Sequence, residues 1–124
     1  VRGLRNRRFL MKNPFKLPKK NKFNARKTLV DGILFDSAKE ANRYKELKLL
    51  ERAGDIGRIF LQVPFVFKIG DKQIFTYYAD FAYYNENYDY IIEDVKSEIT
   101  RKLPAYRLKK KIIEAYHNII ISEK

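Results

Sequence analysis

A chain of 124 residues, 45% hydrophobic and 15% aromatic, carries enough apolar material for one compact domain with a modest core. It has no cysteine and a single histidine, His117, which excludes a disulfide framework and a zinc site of the usual kind; any metal has to be a hard cation held by carboxylates. The net charge of +12 sits almost wholly in residues 1–28, which hold eleven Lys and Arg and no acid, while the remainder is close to balanced.

Residues 1–27 read as a basic arm, with Pro14 and Pro18 and no sustained period, expected to order only on a partner. A polyanion suits such an arm, because neutralising phosphates releases counterions; a solvated tail that aids solubility is the other reading. Arg26 and Lys27 close the arm and are its candidates for contact with nucleic acid. Met11 opens "MKNPFKLPKK", which reads like a natural start, so residues 1–10 are expected to be an extension. No apolar run approaches a membrane span, and the basic N-terminus lacks the apolar middle of a signal peptide. The expectation is a soluble, cytoplasmic protein.

"TLVDGILF" (28–35) sets two short apolar runs around Asp31-Gly32, a hairpin signal. Ser37-x-x-Glu40 matches a capping box, and the helix it opens runs to about Ala53, where Gly54 ends it. "RIFLQVPFVFKI" (58–69) is a strand in which Pro64 argues for an edge or a bend. Gly70-Asp71 turns the chain, and "QIFTYYADFAYY" (73–84) returns as a long strand. After the turn "NENYD" (85–89), "YIIEDVKS" (90–97) is a third. A basic helix follows from about Pro104 to Tyr116, with Leu108, Ile112, Ile113 and Tyr116 expected to pack inward. "NIIIS" (118–122) closes as a short buried strand. This order predicts an α/β (α+β) fold over residues 28–124, a central mixed sheet flanked by helices.

The strands carry charges where a core does not normally place them. Alternation puts Asp94 and Lys96 on one face and Glu93 on the other. In a plausible register Asp80 comes beside Asp94. Two carboxylates held close raise one pKa unless a cation lies between them, and a divalent ion removes the conflict. Lys96 is then placed to hold a water or to stabilise charge developing on a phosphate. An Asp80–Lys96 ion pair with no metal is the alternative. Glu40 sits at the centre of the helix's apolar stripe with Tyr44, Leu47 and Leu50, so an acid faces the sheet. Its competing role is the capping box, folded back on the Ser37 amide. Glu93 is expected to be solvated or paired with Lys or Arg. The tyrosines of residues 77–90 are read as filling a sheet face rather than stacking on bases.

Glu40 on a helix, Asp80 on a strand and Asp94-Val95-Lys96 on the next together resemble the PD-(D/E)xK nuclease superfamily. Ala79 stands before Asp80 where some members have proline. "FDSAKEANRYKELKLLERAGDIGRIFLQVPFVF" is also similar to the Ser-x-x-Glu helix and Gln-containing strand of a phage-encoded nuclease-like family and of end-cleaving transposon nucleases. The likeness covers about residues 23–124. It implies a restriction-endonuclease-like core and a Mg²⁺-dependent DNA endonuclease, with Mn²⁺ able to substitute. The setting would be phage or mobile-element recombination, repair or processing, in the host cytoplasm if phage-encoded. The superfamily includes Holliday-junction resolvases, and symmetric cutting of a junction would require a homodimer.

The resemblance further implies that Asp80, Asp94 and the Val95 carbonyl bind Mg²⁺. Glu40 would join through water or hold a second ion, and Lys96 would orient the attacking water. Gln62 either lies beside this cluster or is a strand-edge amide. On the following helix Lys102, Tyr106, Arg107, Lys109, Lys110 and Lys111 are candidates to grip the DNA backbone, with Tyr106 and Arg107 nearest the site; a solvated face is the other reading. A non-catalytic nucleic-acid-binding module with the same fold is the alternative function.

Overall fold

The computed structural model describes residues 27–124, so the expected arm, Arg26 included, lies outside the described residues apart from Lys27. β1 (Thr28–Val30) and β2 (Ile33–Phe35) form the expected hairpin, with Asp31 and Gly32 at φ 53° and 76°, as its two-residue turn requires. α1 (Ala38–Ala53) starts at Ser37, whose Oγ accepts the Glu40 amide at 3.1 Å, and stops at Gly54 in the left-handed conformation. Its buried residues, Glu40, Ala41, Tyr44 and Leu47, recur at helical spacing and trace one stripe.

β3 (Phe60–Ile69), β4 (Lys72–Tyr84) and β5 (Tyr90–Asp94) form an antiparallel meander. β6 (Ile121–Glu123) lies parallel to β5, so the four-stranded sheet runs β3-β4-β5-β6 and is mixed. A parallel pair needs a crossover, supplied by α2 (Glu98–Arg101) and α3 (Pro104–His117). β3 lies at one edge, which is where a strand tolerates Pro64. The expected α/β architecture is therefore present, and no helix among the described residues is long and apolar enough to cross a membrane.

Two core clusters meet the sheet. One joins Ala41, Tyr44 and Leu47 of α1 to Phe35, Phe81, Tyr83 and Val95. The other joins Ile113 of α3 to Tyr77, Ala79, Ile92 and Ile121. Ile92 packs with α3 while the next residue, Glu93, is bound by Arg43 of α1. Successive side chains on a strand point to opposite faces, so α1 and α3 cover opposite faces at β5.

Several expectations are corrected. β5 ends at Asp94 rather than at residue 97, because Ser97 caps α2 by accepting the Thr100 amide at 3.1 Å; Val95 and Lys96 are the link between strand and helix. α2 itself was not expected. On α3 the inward line is Tyr106–Ile113. At about 100° per residue Leu108 falls ~160° from Tyr106, and it is 60% exposed. Tyr116 is half exposed, with its ring edge-on to Phe67 at 5.0 Å. The closing strand begins at Ile121, after Asn118 ends α3 in the left-handed conformation; Ile120 is exposed. Of the tyrosines, Tyr77 and Tyr83 fill core, whereas Tyr84, Tyr88 and Tyr90 face solvent.

Candidate functional site

The β4–β5 register pairs Phe81 with Glu93, and one further step sets Asp80 opposite Asp94. Both carboxylates are buried, Asp80 at 4% exposure and Asp94 at 0%. Their side chains take over where the ladder stops. The Asp80 amide donates to Asp94 Oδ1 at 3.0 Å, and the Val95 amide donates to Asp80 Oδ2 at 2.9 Å. Each carboxylate thus fixes the backbone of the opposite strand. Tyr77 donates its hydroxyl to Asp94 Oδ2. Burial pushes the Asp94 carboxyl up to about 6, against the opposing pull of Lys96 and of the Asp80 amide; Glu123 adds to the rise.

Gln62 lies beside this pair, its Nε2 donating to Asp80 Oδ1 at 3.1 Å. It does so from within β3, whose register does not shift there. The β3–β4 register runs through Leu61–Phe81 and Val63–Ala79 but omits Gln62, which sits at φ 51°. A non-glycine residue in that region is uncommon inside a strand, and such departures concentrate at functional sites.

Lys96 places Nζ 5.6 Å from the centroid of the Tyr106 ring. Tyr106 in turn donates to Glu123 Oε2 at 2.7 Å. Burial raises the Tyr106 phenol, and the Glu123 hydrogen bond and the charges of Asp94 and Asp80 raise it further. Lys39 Nζ donates to the Lys96 carbonyl at 2.9 Å and so ties the first turn of α1 to this segment. The next residue, Glu40, is 4% exposed, in keeping with its place on the inward stripe. Among the described residues no group of three or more acids or histidines is arranged to hold a metal ion. What the fold brings together is the Asp80–Asp94 pair with Val95, Gln62, Lys96 and Tyr106.

Glu93 lies outside this set. Arg43 binds it through Nε and a terminal nitrogen, both at 2.8 Å, and Tyr83 donates to Oε2. Burial opposes its ionisation, but Arg43 and Tyr83 overcome that and hold the carboxyl below its ordinary value. The expectation of a basic partner holds; that of solvation does not, since Glu93 is fully buried.

The candidates for DNA contact divide. Lys102, Arg107, Lys109 and Lys111 are exposed on or beside α3. Lys109 leans over Phe75 at 5.7 Å, and Lys110 pairs with Glu114 at 3.1 Å. Lys27 pairs with Asp36 at 3.3 Å. Tyr77, Glu123 and Lys39 take part in the site without having been singled out. Their roles depend on long-range pairing, and the sequence offered no signal beyond the position of Tyr77 on the Asp80 strand.

No curated protein and no solved structure matches this chain. The model of one family, described as a protein of unknown function (DUF1064), matches residues 20–122. The match spans most of the sequence, and the chain belongs to that family.

Proposed function

We propose that the chain is a metal-dependent DNA endonuclease of the PD-(D/E)xK type, hydrolysing phosphodiester bonds. The observation that carries this reading is the buried Asp80–Asp94 pair, locked across two strands with Lys96 two residues on. Two carboxylates on a rigid frame, one with its pKa raised by burial, form an all-oxygen donor set that suits Mg²⁺, which is commonly bound by one or two carboxylates plus waters. A carboxylate oxygen has two lone pairs, so the hydrogen bonds that fix these side chains are compatible with coordination.

Asp80, Asp94 and the Val95 carbonyl would hold the ion. Glu40, at the buried start of α1, is the candidate to reach it through water. When bound, Mg²⁺ supplies Lewis-acid stabilisation of charge on the phosphate oxygens. Lys96 would orient the attacking water and offset the developing negative charge; the water oxygen bonds to phosphorus and gives its proton to solvent, the phosphorus–O3′ bond breaks, and the 3′ oxygen leaves with a proton from solvent. Tyr106 and Gln62 hold Lys96 and Asp80 in place. Exposed Lys102, Arg107, Lys109 and Lys111, with Arg26 and Lys27, would meet the DNA backbone. Symmetric cutting of a branched substrate would call for a homodimer.

The test is incubation with plasmid, a four-way junction and single strands, in Mg²⁺, Mn²⁺ or EDTA. Cleavage in either metal, absent in EDTA and in Asp94→Asn and Lys96→Met, is the expected result. Tight binding without cleavage in any metal favours the second reading, a nucleic-acid-binding module with an idle site, which the balance of exposed bases on α3 also suits.

A further inference from the structure

We infer that residues 20–26 dock along the side of the β3–β4 hairpin turned away from α3, with Phe23 seated against Pro64 and Val66. On this hairpin Phe65, Phe67, Phe75 and Tyr77 pack toward α3. Alternation turns Pro64, Val66, Thr76 and Tyr78 to the other side, and the register sets Pro64 beside Tyr78 and Val66 beside Thr76. α1 lies on that side but packs only against its far part, at Leu61, Phe81 and Tyr83. Pro64 and Val66 belong to neither core cluster, Pro64 is exposed, and exposed Ile69 and Ile74 continue the apolar surface toward the Gly70 turn.

The start of the described chain points a segment at this surface. Lys27 is held to Asp36 at 3.3 Å, and Thr28 pairs with Phe35, whose ring lies 6.4 Å from that of Phe81. Residues before 27 therefore depart from the α1 side, next to the point where the cover of α1 stops. From Phe81 the surface begins three residues along β4, at Tyr78, a distance of ~10 Å. Phe23 stands five residues before Thr28, an extended reach of ~17 Å, enough to arrive there and cross to Pro64 on the next strand. The family match begins at residue 20, so these seven residues belong to the family's domain. Within "KNKFNAR" Phe23 and Ala25 alternate with Lys22, Asn24 and Arg26, the pattern of an extended segment with one side buried and one in water. Lys20, Lys22 and Arg26, with no acid among them, suit Asp36 and Glu40 at the start of α1 on the same side. This part of the arm thus orders on its own domain, against the expectation that it waits for a partner. Tyr78 is two residues from Asp80, so the docked segment brings its outward Lys22 and Arg26 toward the acid pair. That last consequence alone rests on the nuclease reading.

The chain has no cysteine, so Asn24→Cys takes a single nitroxide label, on the side of the segment facing water. In the full chain, broadening of backbone amides by NMR should be strongest at residues 65–66 and 76–78 and weak at Lys109 and Lys111 across the sheet. Adding Phe23→Ser should erase that localised pattern, and the arm substitution leaves the folded core intact. Broadening centred on α3, spread evenly over the domain, or unchanged by Phe23→Ser overturns the inference. Mixing labelled chain with unlabelled, ¹⁵N-enriched chain tests a second copy: broadening of the same amides there assigns the surface to a neighbour's arm and overturns it too. Neither metal nor DNA enters these measurements, so their outcome is independent of cleavage. Lys22→Gln/Arg26→Gln should keep the broadening pattern and lower the salt dependence of oligonucleotide binding in EDTA by about two phosphate contacts. If the wild type binds no DNA while the broadening stays at 65–66 and 76–78, the nuclease reading falls and the docking stands.

Discussion

Glu93 and Asp94 are both fully shielded from solvent, yet the fold treats them in opposite ways. Glu93 faces α1, meets a guanidinium through two short bonds, and is held ionised. Asp94 faces the α3 side, meets backbone amide and phenol donors, and has its pKa raised to about 6. A buried carboxylate with its own cation is a structural element. One that is desolvated and bonded mainly to neutral donors, with its pKa raised despite Lys96, is poised to accept a cation or a proton. One peptide bond separates the two, and the alternation of a strand does the rest.

The largest effect expected from breaking this contrast is on the structural side. Arg43→Met leaves Glu93 charged and buried, which should cost about 3–5 kcal/mol in urea unfolding at neutral pH. A loss under about 1 kcal/mol would show that Glu93 does not depend on Arg43.

Next comes pH. In EDTA, the rise of Asp94 from its ordinary 3.8 to about 6 corresponds to about 3 kcal/mol. Because the folded pKa is the higher one, this stabilisation is complete below about pH 4 and lost as pH rises past about 6. The stability of the wild type relative to Asp94→Asn should therefore fall over that window. Glu93, whose folded pKa is lowered, works the other way: its contribution is present above its ordinary 4.5 and is lost as pH drops through the folded value. It is common to both proteins and cancels in their difference. A pH-independent difference would sink the assignment of Asp94.

Two tyrosines sharpen the same contrast. Tyr83 donates to ionised Glu93 and Tyr77 to Asp94. Tyr83→Phe should cost about 1.5–3 kcal/mol near pH 5, the range for a bond to a charged group, and Tyr77→Phe about 0.5–1.5. Equal losses at that pH would argue that the two acids carry the same charge. The smallest effect belongs to the surface: Lys27→Ala, which removes the pair with Asp36, should change stability by less than about 1 kcal/mol.

Much of this could be read from the chain. Asp31-Gly32, Ser37 and Gly54 punctuate the hairpin and the helix through local backbone preferences, so their boundaries were predictable. Glu40 could be placed on the buried stripe because helical periodicity is local. The pairing of Asp80 with Asp94 was legible because a short turn fixes the register of β4 and β5. The inward face of α3 is legible only in part: Ile113 is buried as expected, while Leu108 and Tyr116 are exposed, because several apolar stripes compete on that helix and only the sheet beneath decides which is used.

The sequence by itself determined the elements other than α2, their order and the inward placing of Glu40, since caps, turns and periodicity act between near neighbours. Only the tertiary structure decided which acid received Arg43 and which was left to its amides, that Gln62 reaches Asp80, and that Lys39 and Lys124 close on the end of β5. Those outcomes rest on contacts between residues far apart in the chain, and such contacts depend on how whole elements pack rather than on any local pattern.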